Sequence, residues 1–174
     1  MQIRTATSED SAAIAALLTQ LDYPGTAPFM PQKIAQLTVH PDARLLVAED
    51  EVGQLLGFIG LHFMVQLALP GDFCRITYFC VSDQARSAGV GRRLEAAAED
   101  EARARGCDRI EVHCHERRTD AHRFYYRQGY EVTEVFDEAG VVIRKIRPKA
   151  SNAASVAHNS PKDGNGRDNA RHAP

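Results

Sequence analysis

Apolar and polar residues alternate in ways that divide the first 147 residues into strands and helices. Gln2 to Ala6 reads as a short strand. Thr7 then precedes Glu9 and Asp10, the pattern of a helix N-cap with an acidic first turn. Ile14, Leu17, Leu18 and Leu21 follow at i, i+3, i+4 and i+7, so that helix buries one face. Tyr23-Pro24-Gly25 breaks it. Pro31 opens a second helix over residues 31–39 with Ile34 and Leu37 inward, and His40-Pro41 closes it. Residues 44–49, 55–66 and 73–81 are β-prone runs. An acidic turn at 50–53 and a Pro70-Gly71 loop at 67–72 separate them, which predicts an antiparallel meander. Val90, Leu94, Ala97, Ala98 and Ala102 lie at helical spacing in a helix that runs to Arg105, with Gly106 as its stop. Arg109 to His115 is the next strand. Strand, helix and strand with so short a return make a βαβ unit, so 73–81 and 109–115 are expected to be parallel. A fourth helix opens at Arg118 or Thr119, carries Phe124 and Tyr125, and ends at Gly129. Tyr130–Phe136 and Val141–Arg147 predict a final hairpin around Glu138-Ala139-Gly140.

Composition changes at Pro148. Residues 148–174 are rich in Asn, Ala, Ser, Gly, Pro and His, cannot offset the entropy of ordering, and are expected to be a disordered polar tail behind a domain of residues 1–147. The 174-residue chain suits a single core. Net charge is −2 overall; residues 1–147 carry 17 Lys plus Arg and 21 Asp plus Glu, hence −4. Neither the domain nor the +2 tail is basic enough for a nucleic-acid binder. Cysteines at 74, 80, 107 and 114 have no C-x-x-C spacing, so neither a zinc site nor a redox pair is expected. Free thiols point to a reducing cytoplasm. No run of about 18 apolar residues exists to span a membrane, and the N-terminus has no apolar signal core.

The chemistry concentrates where the strand ending at Val81 turns into the third helix. The turn reads Arg86-Ser87-Ala88-Gly89-Val90-Gly91-Arg92, an Arg-x-x-Gly-x-Gly pattern. Glycines there let backbone amides point outward, and those amides plus the helix's positive end make a socket for phosphate oxygens. No Gly-Lys-Ser/Thr follows, so it is not a nucleotide P-loop. The first Gly-x-Gly of a dinucleotide fingerprint is also missing. The strand–loop–helix resembles the acetyl-CoA pyrophosphate loop of GNAT-superfamily N-acetyltransferases. A second segment, Ala121-His122-Arg123-Phe124-Tyr125-Tyr126-Arg127-Gln128-Gly129-Tyr130, is similar to that superfamily's Ala-x-x-Phe-Tyr-x-x-x-Gly-Phe/Tyr signature.

The resemblance covers residues 1–147 and implies an α+β fold in α/β/α layers. Its mixed, mostly antiparallel sheet would have six or seven strands with a splayed parallel pair, flanked by about four helices. It implies acetyl-CoA lying between the splayed strands 73–81 and 109–115. Its pantetheine arm would pair with the backbone of Phe79, Cys80 and Val81, and its pyrophosphate would sit on the amides of Arg86, Ser87, Ala88, Gly89, Val90, Gly91 and Arg92. Tyr125 would protonate the leaving thiolate, since a phenol with pKa about 10 suits a thiolate of similar basicity. The reaction would move the acetyl group to a primary amine, nearest in kind to bacterial small-molecule acetyltransferases of the aminoalkylphosphonate type. Where such enzymes carry a Glu-x-x-Glu strand, this chain has Arg75 and Tyr78, so the usual carboxylate base is absent. The asparagine common near the start of the last helix is replaced by Arg117 and Arg118. His113 and His115 share one side of their strand near the thioester and are candidate bases. His62 is a candidate for the acceptor pocket, and Cys80 for a nucleophile, against the plainer reading of a small buried residue. A homodimer would fit the family. Two other readings of the fold remain open: a non-catalytic acyl-CoA sensor, and an acetyltransferase of protein N-termini or lysines.

Overall fold

The computed structural model describes residues 1–136 and 141–146. The turn expected at Glu138–Gly140 and the tail expected from Pro148 lie outside the described residues. The chain forms β1 (Gln2–Thr5), α1 (Ser11–Gln20), α2 (Met30–Val39), β2 (Ala43–Glu49), β3 (Leu55–Met64) and β4 (Phe73–Val81). It continues through α3 (Val90–Ala104), β5 (Arg109–His115), α4 (Thr119–Arg127), β6 (Glu131–Phe136) and β7 (Val141–Ile146). All seven strands join one sheet in the order β1-β2-β3-β4-β5-β7-β6. The meander β2-β3-β4 is antiparallel, and β4 and β5 are parallel. The final hairpin enters with β7, not β6, against β5.

The period-two pattern of the strands divides the core into two layers. Leu45, Val47 and Phe58 face α1 and α2, where Ile14, Leu17, Leu18, Met30 and Ile34 cover them. Leu46, Ala48, Ile59, Leu61, Cys74, Ile76, Ile110 and Val112 face the other way. There they meet the stripe Val90, Leu94, Ala98 and Ala102 of α3, together with Tyr125 of α4. Thr7 begins a single 3-10 turn before α1, and Asp10 caps it by accepting the Thr7 amide at 2.8 Å. Arg4 on β1 grips Asp10 at 2.8 Å and Glu49 of β2 at 2.9 Å, so one guanidinium ties the first strand, the first helix and the second strand together.

Candidate active site

The site begins with an irregularity in β4. Gly60 pairs with Tyr78 and Leu61 with Ile76, which leaves Thr77 as a bulge. A methyl group on Gly60 would stand 2.9 Å from Thr77 Oγ1, so the glycine makes room for the bulged side chain. Bulges bend and twist a strand, and here the bend coincides with the end of the β4–β5 ladder. Those strands pair only from Phe73–Ile76 against Arg109–Val112. Beyond that point β4 runs on to Val81 and β5 to His115 without meeting. The edge of β4 at Phe79, Cys80 and Val81 is therefore unpaired on the β5 side.

The bulge also reverses the phase of the strand. Cys74 and Ile76 face α3, but after Thr77 it is Phe79 and Val81 that pack on that side, while Cys80 turns to α1. The Cys80 thiol donates to Leu17 O at 3.3 Å, and burial pushes it up to about 11. A buried thiol raised in this way and donating to a carbonyl fits the plainer reading of Cys80 as a small buried residue.

At the end of β4 the chain stays close to its neighbours. A methyl on Gly57 would stand 2.6 Å from Cys80 O, and Ser82 donates to Leu56 O at 2.8 Å. A single 3-10 turn over Asp83–Ala85 leads to the glycine loop. Ser87 (φ 67°) and Gly89 (φ 80°) are both left-handed, a conformation that costs a serine roughly 1 kcal/mol and a glycine nothing. Gly89 is the N-cap of α3, whose first backbone bond is Arg93 N to Gly89 O. The amides of Val90, Gly91 and Arg92 precede it and have no intrahelical acceptor. A left-handed residue followed by helical ones gathers such amides into an anion-binding nest. The Ala88 amide instead turns back to Ala85 O at 3.4 Å, and the exposed Arg86 guanidinium is paired with Asp83 at 2.6 Å. Arg92 is exposed at the helix start. Gly91 lies under α4, where a methyl would come 3.1 Å from Phe124 Cε2.

Tyr125 is buried on the α3 side, its ring 6.3 Å from Phe79, 5.4 Å from Phe124 and 5.0 Å from Tyr130. Tyr126, about 100° round the helix, is 54% exposed. The register that turns Tyr125 inward therefore also sets it against the strand edge at Phe79.

His113 and His115 lie on the opposite face of β5 from Val112 and Cys114, with Glu111. His113 is exposed. His115 accepts the Arg117 amide on Nδ1 at 3.2 Å, which occupies the lone pair a base would need. Glu111 is pinned between Arg109 (2.9 Å) and Arg75 (3.0 Å). Burial alone would raise its carboxyl, but the two guanidiniums outweigh that and hold it below the usual carboxylate range. Arg75, standing where a carboxylate was expected, thus serves the neighbouring strand's carboxylate. His62, half-buried, packs against His40 with ring centres 5.1 Å apart and the rings tilted by 53°.

Contacts beyond the sequence reading complete this face. Tyr23, from the turn after α1, stands edge-on to Tyr78 at 5.5 Å and 82°. Arg118, from the turn before α4, reaches back to Leu21 O at 3.0 Å and Asp22 at 3.3 Å. The two turns therefore meet, with Tyr23 against Tyr78 of β4. Tyr23 carries a sequence signal only as a helix breaker, and its partner lies 55 residues away on β4.

A model of the acetyltransferase (GNAT) family matches residues 12–130. The chain is 33% identical over 135 residues to the aminoalkylphosphonate N-acetyltransferase of Salmonella typhimurium, covering 75% of this chain and 84% of that protein. Among solved structures, a variant of the BH1408 protein from Bacillus halodurans superposes with a TM-score of 0.72 at 24% identity, over 79% of this chain and 98% of the other. The PaiA N-acetyltransferase of Thermoplasma acidophilum, solved with coenzyme A, superposes with a TM-score of 0.67 at 18% identity, over 84% and 98%. Among the described residues no helix is long and apolar enough to cross a membrane.

Proposed function

The chain belongs to the acetyltransferase (GNAT) family, whose acyl donor is acetyl-CoA, and from this premise we propose that it acetylates the primary amine of a small molecule by direct transfer. The observation that carries the reading is the cleft itself. A strand edge is left unpaired by a bulge, a nest of amides closes one end, and a buried tyrosine flanks the middle. The unpaired edge at Phe79, Cys80 and Val81 suits an extended amide-bearing arm, and the amides of Val90, Gly91 and Arg92 suit a pyrophosphate.

Acetyl-CoA supplies an activated thioester; the chain supplies placement, a proton donor and an oxyanion donor. A backbone N–H near Val81 donates to the thioester oxygen as it gains charge. Tyr125 gives its phenol proton to the departing sulfur. The amine enters from the opposite face, past Tyr78 and Tyr23, so acid and acceptor approach from different sides of the sheet. On that face Glu111 is held too acidic to deprotonate an ammonium, and His115 has its lone pair engaged. His113, exposed on the same face, or water beside it, offers the proton's route. Holding donor and acceptor in line supplies much of the rate.

The test is release of coenzyme A against a panel headed by aminoalkylphosphonates, the named substrates of the Salmonella relative, followed by aminocarboxylates and plain alkylamines. Turnover of at least one small amine is expected. Binding of acetyl-CoA with no turnover would mean a sensor, and turnover only with peptide amines would mean a protein acetyltransferase. On the amine that reacts, Tyr125→Phe should lower kcat by roughly 10²-fold with acetyl-CoA affinity kept. Tyr126→Phe should cost little; if the two roles are exchanged, the assignment of the acid is wrong.

A further inference from the structure

Behind Tyr125 lies a pair of groups that the transfer reaction, as described, does not use. Glu95 is one turn beyond Gly91 on the face of α3 turned toward α4, and it is only 4% exposed. Tyr130, in the turn after α4, is 2% exposed, and its ring packs on Tyr125 at 5.0 Å. The Glu95 carboxyl and the Tyr130 phenol face one another. The two are hydrogen-bonding neighbours, yet neither Glu95 Oε1 nor Tyr130 Oη finds a well-directed partner among the described residues. Buried polar groups so weakly satisfied are costly, and such cost is commonly retained where chemistry needs it.

From this arrangement we infer that Glu95 is a positioning residue for Tyr125, acting through Tyr130: its charge sets how readily the Tyr125 phenol gives up a proton. The inference rests on the reading of Tyr125 as the acid. When the sulfur takes the phenol proton, Tyr125 is left a phenolate until solvent returns one. A neutral Glu95 tolerates that negative charge, whereas an ionised Glu95 opposes it. Burial, helped by the Glu99 carboxylate one turn along α3, raises the Glu95 carboxyl to about 7, while Tyr130 pulls slightly the other way. Burial and Glu95 together push the Tyr130 phenol well up. Glu99 on α3 and Tyr130 after α4 are the titratable groups facing Glu95 among the described residues, and Tyr125 in turn faces Tyr130. The switch from neutral to ionised thus falls near neutral pH.

Glu95→Gln keeps the shape and stays neutral. With an amine the enzyme accepts, the ratio of wild-type to Glu95→Gln kcat should fall about threefold or more between pH 6 and pH 8.5, with acetyl-CoA affinity unchanged. A flat ratio in a folded variant overturns the inference. A second readout needs no turnover. Tyrosinate absorbance near 295 nm, with Tyr125→Phe subtracted to isolate that phenol, should rise at lower pH in Glu95→Gln than in the wild type. A phenol that titrates identically in both overturns the inference. If no amine reacts but the phenol moves, the acetyl-transfer reading fails and the Glu95–Tyr125 coupling stands. Should Glu95→Gln not fold, Tyr130→Phe replaces it and is expected to weaken the same pH dependence; an unaltered profile in that variant also overturns the inference.

Discussion

At the scale of single residues, glycines at this site have different reasons for being there. Gly89 is fixed by its backbone: at φ 80° nothing lies within 4 Å of an added methyl, so strain alone, not space, opposes a side chain. Gly60 is fixed by a neighbour, the bulged Thr77 at 2.9 Å, and Gly91 by Phe124 at 3.1 Å. Gly89→Val should disorder the amide nest and weaken acetyl-CoA at least about tenfold, about 1.4 kcal/mol. Isothermal titration of a variant with unchanged circular dichroism checks this, and full affinity would remove the loop from the site. The placement of Gly89 and Gly91 was legible in the sequence because it is local and falls at a strand-to-helix turn. Gly60 was not, because nothing within its own strand marks which residue on β4 will bulge against it. The inward, buried position of Tyr125 was legible through its helical register. The pinning of Glu111 by Arg75 was hidden, since it depends on which residues of β4 and β5 stand side by side.

Single elements were read from the sequence with small shifts at their ends, because each carries its own period: α3 through Val90, Leu94, Ala98 and Ala102, and β2 through its alternating faces. The second helix starts at Met30, not Pro31, and β3 stops at Met64, short of Gln66. What periodicity could not supply was the partnering of elements, such as β7 coming between β5 and β6. The start of α1 yields a prediction at this scale. Arg4 holds the Asp10 carboxyl below its ordinary range, against the opposing effect of burial, while the Thr7 amide adds to the lowering. A depressed carboxyl stabilises the fold above its unfolded value of 3.8 and loses that contribution as pH falls through the folded value. Asp10→Asn should therefore cost about 2–3 kcal/mol at neutral pH, since it leaves Arg4 poorly paired. Urea unfolding should show the gap to wild type closing as pH falls below 3.8; a gap independent of pH would mean that the cap, not the charge, matters.

At the scale of the molecule, two layers meet on one sheet, and Glu95 lies in the larger. Its folded value, about 7, exceeds the ordinary 4.5. A raised carboxyl contributes stability that is fully present below 4.5 and lost as pH rises through 7. The melting temperature of the wild type should fall relative to Glu95→Gln on going from about pH 5 to pH 8. Parallel curves would mean that the carboxyl titrates as if in water. The bulge at Thr77 has a wider consequence for how the molecule meets its ligand. Because β4 and β5 are already parted where the donor's arm is proposed to lie, the work of separating them is done once, during folding, and not at each turnover. Binding needs only to order the arriving chain, not to peel two strands apart. Affinity then depends mainly on the flexibility that the ligand gives up, and association has no slow opening step to wait for.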